Sequence, residues 1–346
     1  MNVTLTDIAK AAGVSASTVS RALSLPEKVN AETGRRIHRI ASQMGYTSPH
    51  ALRLTAASRT DTIGLIVPDI ANPFFPPIIK AVQARAGALG RTVVIADFNE
   101  YASDEIRRAE FLASRVDGLI IASARSSGEQ LAQLAQEMPL VLLNREQQGV
   151  TSVTIENSVG MIEAVDHLIA LGHRTISYLN GPKRSWSNTQ RQRAVRQACA
   201  EAGVELLEFG PFEPQIQAGA RAADLVNASD ATAVIAYDDL IALGVMARLN
   251  ERGIEVGREI SLIGIDDSPM SAMAYPSLTT VHVPGAQAGM QAVDVLLDLV
   301  EATIEGRDRA PLQQNLLQVD TGLVVRGSTA PAPAIRDGVT RAERHP

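Results

Sequence analysis

From residue 63 onward the chain repeats one device, a short unbroken apolar run followed by an amphipathic stretch of helical period. Ile63–Val67, Val93–Ala96, Leu119–Ile121 and Leu140–Leu143 show no polar alternation, the pattern of strands covered on both faces, as in parallel sheets. Amphipathic segments lie around Pro77–Leu89, Asp104–Arg115 and Glu129–Gln136. The alternation returns in Ile176–Leu179, Val234–Ala236 and Leu262–Ile265, with helices near Ser158–Leu171, Thr189–Glu201, Gln215–Val226 and Leu240–Glu251. Two such series predict an α/β body of two parallel-sheet lobes. Ligands of such lobes sit beyond the carboxyl ends of the strands. Composition agrees: 45% of the 346 residues are hydrophobic but only 3% are aromatic. Ala, Val, Ile and Leu must therefore form the cores, which suits packed helices and parallel strands.

The first sixty residues are of a different kind. Eight Lys and Arg against three acids (Asp7, Glu27, Glu32) give them +5, so the remainder of a chain carrying −6 carries −11. A basic head on an acidic body points to a polyanion met by the head alone. A merely solvated basic face is the other reading, and residue pattern decides between them. Thr4 to Asp7 has the form of a capping box, Ile8, Ala9 and Ala12 give one apolar face, and Gly13 stands where a helix-ending glycine would. Val14 is a buried turn residue and Ser15 an N-cap. Val19, Ala22 and Leu23 face inward from a second helix, leaving Ala16, Ser17, Ser20 and Arg21 outward. A third helix runs from the Asn30 cap to Met44 and is closed by Gly45. Helix, glycine-containing turn, helix and supporting helix make a helix-turn-helix. Small side chains at Ala16 and Ser17 let the second helix approach base edges, and Arg21 reaches a guanine or a phosphate. The hydroxyls of Thr4, Ser15, Thr18 and Ser20 suit phosphate oxygens.

The run Thr4-Leu5-Thr6-Asp7-Ile8-Ala9-Lys10-Ala11-Ala12-Gly13-Val14-Ser15-Ala16-Ser17-Thr18-Val19-Ser20-Arg21 closely resembles the signature of the lactose/galactose repressor family of bacterial transcription regulators. The resemblance extends to about residue 327. Pro68-Asp69-Ile70-Ala71-Asn72-Pro73-Phe74-Phe75 is similar to the family's loop after the first strand, and Ala170-Leu171-Gly172-His173 to its entry into the second lobe. Gly264-Ile265-Asp266-Asp267 and Tyr275-Pro276-Ser277-Leu278-Thr279-Thr280 are similar to its last strand and crossover.

The resemblance implies an all-α helix-turn-helix head over residues 1–46 and a hinge over 47–62. A periplasmic-binding-protein-like body that binds effector and dimerises follows over 63–328, then an Ala-, Pro- and Arg-rich tail over 329–346, expected to be disordered. The implied activity is binding of double-stranded DNA at an inverted-repeat operator by a homodimer whose affinity is set by a small molecule, a sugar or polyol. Repression is favoured over activation, and a purine or an anionic metabolite is the alternative effector. In the hinge, the family's minor-groove wedge has its counterpart in Leu54, with Leu52 next. Pro49 and His50 depart from the family's pattern there, and a plain solvated linker is the other reading.

Family positions that contact effector match Asn144, Arg191, Asp238 and Asp266, a set suited to hydroxyls. Phe74 and Phe212, with Trp186 as a further candidate, would supply apolar faces for a sugar ring; ordinary packing is their alternative role. Asp238 and Asp266 could instead cap the helices that follow them, and for Asp239 capping is the preferred reading. Val283 and Ala194 stand where the family has glutamine and glycine, which leaves the identity of the ligand open.

An enzyme is the main rival class. No G-x-G-x-x-G follows a strand, no Walker A, G-x-S-x-G or H-E-x-x-H occurs, and the six histidines lack metal-ligand spacing. No catalytic residue, metal or cofactor is therefore expected. The single cysteine, Cys199, leaves no disulfide framework. No run of about 18 apolar residues is present, and the start Met1-Asn2-Val3 lacks the basic segment of a signal peptide, so the expected location is the cytoplasm. A sugar-binding transport protein of the same body fold would need an export signal and no DNA-binding head.

Overall fold

The computed structural model describes residues 3–24, 29–44, 59–307 and 317–333, and the chain divides into a head ending at Arg59 and a body beginning at Thr60. In the head, the Thr4 hydroxyl accepts from the Asp7 N–H while the Asp7 carboxylate accepts from the Thr4 N–H at 2.9 Å, a reciprocal cap for α1 (Leu5–Ala12). Gly13 then turns the chain at φ +66° and donates to the Ala9 and Lys10 carbonyls, a conformation that glycine adopts without a Cβ penalty. Ser15 Oγ accepts from the Thr18 N–H at 3.1 Å where α2 (Ala16–Ser24) begins, and Asn30 Oδ1 accepts from the Glu32 N–H where α3 (Ala31–Gln43) begins. Ile8, Ala9, Ala12, Val19, Ala22, Ile37 and Ala41 close into one core. Most of the expected hinge, Leu54 included, lies outside the described residues. Its last residues belong to the body, because the Thr60 N–H donates to the Asp117 carboxylate at 2.9 Å and Thr62 already opens a strand.

Lobe 1 of the body begins with β1 (Thr62–Val67), α4 (Phe75–Ala88), β2 (Thr92–Asp97), α5 (Ala102–Ala113), β3 (Gly118–Ala122), α6 (Gly128–Glu137), β4 (Leu140–Leu143) and β5 (Thr151–Glu156). The chain then builds lobe 2 from α7 (Ser158–Ala170), β6 (Thr175–Leu179), α8 (Trp186–Ala202), β7 (Glu205–Phe209), α9 (Ile216–Asn227), β8 (Ala233–Ala236), α10 (Asp239–Glu251), β9 (Ser261–Asp266), the short α11 (Pro269–Met273) and β10 (Thr279–His282). It returns to lobe 1 with α12 (Gly285–Ile304) and β11 (Leu317–Asp320), and ends in lobe 2 with β12 (Gly322–Val324). The sheet orders are β11-β5-β4-β3-β1-β2 and β12-β10-β9-β8-β6-β7, and β12 alone pairs antiparallel.

Three passages of chain therefore join the lobes, and Thr321 ties two of them. Its hydroxyl donates to the Glu156 carbonyl at 2.8 Å and accepts from the Gly160 N–H at 3.0 Å. Gly160 is required at that point: a Cβ there would stand 2.5 Å from Val281 and 2.7 Å from Thr321.

Apolar runs mark seven of the twelve strands among the described residues and miss β5, β7, β10, β11 and β12. In buried β5, Thr151, Ser152 and Thr154 stand where other strands carry aliphatic residues, with Ser152 Oγ donating to the Val150 carbonyl, and edge strands such as β7 need one covered face only. The helix α12 also escapes the pattern, since Gly285 and Gly289 take the positions that close against Ile78 and Val82 of α4. The tail expected to be disordered from residue 329 is held at its start. Thr329 Oγ1 bonds His167 Nε2 at 2.9 Å, the Ala330 N–H donates to Ser261 Oγ at 3.0 Å and the Ala332 N–H to the Leu171 carbonyl at 2.8 Å. The opening residues of β9 and the end of α7 need these partners, since buried backbone and hydroxyl groups are rarely left unpaired. Among the described residues no helix is long and apolar enough to cross a membrane.

Candidate functional site

Between the lobes, at the carboxyl ends of their strands, lies a cleft that opens to solvent, where ligands of such sheets bind. The lining residues come from the strand ends and from the loops and helix starts that follow them. Lobe 1 supplies Asn72 and Phe74 after β1, Glu100 after β2, Ser123 and Arg125 after β3, and Asn144 after β4. Lobe 2 supplies Pro214 after β7, Tyr237 and Asp238 after β8, Asp266 at the end of β9, and Ser187 and Arg191 from the first turns of α8. Backbone strain gathers here. Seven non-glycine residues among those described have positive φ, and four of them, Glu100, Ser123, Asn144 and Asp266, line the cleft. Such conformations persist only where the surroundings over-determine them.

Arg191 is 2% exposed and is held from three sides. Its Nε donates to Asn157 Oδ1 and its Nη1 to the Tyr237 carbonyl, both at 2.8 Å, while Nη2 stands 3.7 Å from Asp266 Oδ1. The guanidinium also lies 5.1 Å from the centroid of the Tyr237 ring, a cation–π distance. That ring is seated on Gly181, where a Cβ would meet it at 2.4 Å. Burial pushes the Asp266 carboxyl well above the ordinary carboxylate range; Arg191 opposes the shift, and Asp238 and Asp239 reinforce it. Burial likewise raises Asp238 to about 7 against the pull of the Ile241 N–H and Arg191, with Asp239 and Glu100 adding to the rise. Asn72 Nδ2 reaches across the cleft to Asp238 Oδ2 at 3.5 Å. Asn144 donates to Ser123 Oγ at 3.0 Å, but its buried Oδ1 has no hydrogen-bond partner.

The structure brings together five of the six residues expected to hold an effector: Phe74, Asn144, Arg191, Asp238 and Asp266. Phe212 is not among the residues lining the cleft. It packs against the outer core of lobe 2, and Pro214, two residues on, forms the wall instead. Trp186 opens α8 but does not line the cleft either. The capping role preferred for Asp239 belongs to Asp238, whose Oδ1 accepts from the Ile241 N–H at 2.8 Å at the start of α10. Asp239, one residue further round the turn, is buried behind the cleft. It accepts from Thr280 Oγ1 at 2.7 Å and the Ser268 N–H at 2.8 Å, and burial raises its pKa to about 6. Sequence reasoning missed Asn72, Glu100, Ser123, Arg125, Ser187 and Tyr237. The available signal was positional, since four of these lie within three residues of the end of β2, β3 or β8.

On the head, Thr4, Ser15, Ala16, Ser17, Ser20 and Arg21 are exposed and Thr18 is half-buried. Thr4 and Ser15 serve as helix caps, and Ser15 Oγ also bonds the hydroxyls of Ser17 and Thr18 at 2.8 and 2.7 Å. Arg21 folds back on its own helix, with Nε donating to the Ser17 carbonyl at 3.1 Å. The chemistry on this face is hydroxyl and guanidinium, both suited to phosphates and base edges. Among the described residues no group of three His, Cys, Asp or Glu is placed to hold a metal ion.

Residues 4–48 match the model of bacterial regulatory proteins, lacI family, and residues 165–329 match that of the periplasmic binding protein-like domain. The chain is 31% identical to the HTH-type transcriptional regulator GalR of Escherichia coli K12 over 344 residues, 96% of this chain and 97% of that one. Its structure is similar to the lac repressor dimer bound to operator and the anti-inducer ONPF, with TM-score 0.69, 27% identity and coverage of 95% of this chain and all of that one. It is also similar to the regulator CelR in complex with cellobiose, with TM-score 0.71, 28% identity and coverage of 94% and 100%. With helix-turn-helix head, two-lobed body and near-complete coverage all agreeing, the chain belongs to the lacI family of bacterial regulatory proteins, the DNA-binding regulators of transcription.

Proposed function

We propose that the protein is a homodimeric, cytoplasmic repressor with no catalytic role, whose heads bind an inverted-repeat operator and whose body responds to a neutral sugar or polyol held in the cleft. The effector reading is carried by Asn144 Oδ1, a buried acceptor without a partner in the wall of the cleft. An unmet buried acceptor is destabilising by about 1–3 kcal/mol, and a ligand hydroxyl relieves it. Arg191, Asp238 and Asp266 complete a set that can donate to ring oxygens and accept from hydroxyls, with Phe74 as the apolar face. A neutral polyol suits two buried acids whose protonated forms are favoured by burial, because each can then donate to or accept from a ligand hydroxyl. The cellobiose in the CelR structure supports this class of ligand, and the operator-bound lac repressor dimer supports the assembly. Leu54 is the proposed minor-groove wedge.

Asp266→Ala tests the effector reading. The variant is expected to fold and bind operator but to lose its response to ligand, with affinity reduced ten- to a hundred-fold, about 1.5–3 kcal/mol. The readout is calorimetry on the purified protein beside an operator-shift assay. Tight binding of an anionic ligand, undiminished by Asp266→Ala and abolished by Arg191→Ala, would overturn the neutral-polyol reading.

The DNA reading rests on the exposed face of α2. Arg21→Ala is expected to weaken operator binding by about 1–3 kcal/mol and to relax specificity at one position per half-site, with half-site centres about one helical turn apart. Footprinting and a binding-site selection check this. A single asymmetric footprint rejects the dimeric reading, and unchanged specificity rejects the role of Arg21.

A further inference from the structure

Lobe 1 presents to the cleft a pair of charges that the effector reading does not use. Arg125, 4% exposed, donates from Nε and Nη2 to the two carboxylate oxygens of Glu100 at 2.8 and 3.1 Å, and from Nη1 to the Ser123 carbonyl at 2.7 Å. This is the bidentate fork that fixes both partners in one geometry. Its two members arrive from different loops, and each loop is held firmly. Asn99 and Glu100 both take positive φ, +50° and +61°, which residues other than glycine seldom adopt. Asp97 holds them there: its carboxylate accepts from the Asn99 N–H and, across the gap to the preceding loop, from the Ile70 N–H, each at 2.7 Å. The Glu100 N–H itself donates to the Pro68 carbonyl at 2.9 Å. On the other side, the Arg125 N–H donates to fully buried Glu105 at 2.6 Å, and the Ser126 N–H to the same carboxylate at 3.2 Å.

A buried ion pair is a weak device for stability, because desolvation offsets most of the attraction. A strained double-αL loop makes it weaker still. Both residues nevertheless line the cleft, so the arrangement fits a role in what the cleft accepts. Across the cleft, Arg191 already faces Asp266 and Asp238. Without Glu100, the Arg125 guanidinium would lose both hydrogen bonds to its carboxylate partner and keep only Glu105, which is held through backbone N–H groups, as a nearby negative charge, and the wall of the cleft would draw anions. With Glu100 in place, both guanidiniums meet their carboxylates inside the site.

We propose that the Glu100–Arg125 pair sets the charge selectivity of the cleft: Glu100 cancels the Arg125 charge and so excludes phosphates and carboxylates in favour of neutral ligands. The proposal rests on the effector reading of this cleft and adds to it a specificity-determining pair from lobe 1.

Inorganic phosphate is the probe, titrated calorimetrically into the full-length protein near pH 7. The parent is expected to give no saturable binding in the millimolar range. Glu100→Gln is expected to bind phosphate at least ten-fold more tightly than the parent, and the double variant E100Q/R125M to lose that gain. Glu100→Asp, which keeps the charge, should behave as the parent, and Glu100→Ser reads the same effect should E100Q not fold. Phosphate binding by E100Q no tighter than by the parent, or a gain that survives in E100Q/R125M, overturns the proposal. Failure of the effector reading has a different signature, an unchanged ligand response in Asp266→Ala, and does not touch the phosphate comparison.

Discussion

Arg191→Met is expected to be the most damaging single change in the cleft, lowering both effector affinity and fold stability. It leaves Asn157 Oδ1 and the Tyr237 carbonyl without their donor and Asp266 without its cation. Breaking a buried pair from one side typically destabilises by about 3–5 kcal/mol. Asp266 has an escape, since burial already favours its protonated form, and a neutral carboxyl needs no counter-charge. Loss of Arg191 raises its folded-state pKa further. A carboxyl with a raised folded pKa contributes stability that is present at low pH and lost as pH rises through that pKa. The deficit of Arg191→Met relative to the parent should therefore be smallest at acid pH, where only the lost hydrogen bonds count, and grow as pH rises. Urea denaturation of both proteins across a pH series reads the difference. A deficit that does not change with pH would mean that Asp266 does not take up the proton.

Asp238→Asn should do the opposite and stabilise the effector-free protein at neutral and alkaline pH. In the folded state Asp238 titrates near 7, in the unfolded chain near about 3.9. Between those values the folded protein holds a proton that the unfolded chain has released, so this group's contribution to stability falls as pH rises and is gone above about 7. The gap between the two titrations sets an upper bound of about 4 kcal/mol, shared with the neighbouring acids that help produce it. Asparagine keeps the cap on α10, since it is as good an N-cap as aspartate, and it carries no charge to desolvate. The variant should melt higher than the parent at pH 8, show a shallower fall in stability between pH 5 and 7, and bind effector more weakly. Thermal denaturation over a pH series checks the first two, and an unaltered slope would remove Asp238 as the group responsible. The pair of variants separates two uses of the same cleft: its acids weaken the empty protein so that a ligand has partners to find.

How much of this could be read beforehand depends on how local each feature is. The head was legible residue by residue, because caps at Thr4, Ser15 and Asn30 and the turn at Gly13 are decided by their nearest neighbours. In the body, apolar runs located seven strands, among them β2, which proves to be an edge strand with Val94 exposed rather than covered on both faces, whereas the edge strands β7, β11 and β12, the short β10 and the threonine-containing β5 carry no such mark. Asn144, Arg191, Asp238 and Asp266 were found through resemblance, and the fold gathers them around one cleft. Glu100 and Arg125 were not, because their meeting depends on two loops with positive-φ residues, Glu100 and Ser123, and polar loop residues show no periodicity to read. The exchange of roles between Asp238 and Asp239 has a simple cause. At a strand-to-helix turn one residue of offset decides which carboxylate caps the helix and which is carried beneath the turn to Thr280 and Ser268.

The return of the chain to each lobe near its end has a consequence for how the protein is made. Neither lobe is a continuous piece of sequence: the outer strand of one sheet is β11 and of the other β12, both drawn from residues 317–324. Domains fold as units while they emerge from the ribosome, and here both sheets wait on the same late segment. A premature stop codon after residue 307 strips an edge from both lobes at once and removes the Thr321 clasp with them. Exchange of one lobe between relatives by a single crossover near residue 157 likewise leaves lobe 1 with a foreign α12 and a foreign edge strand, β11. A functional chimera requires three junctions, one near residue 157, one near residue 284 and one between residues 320 and 322.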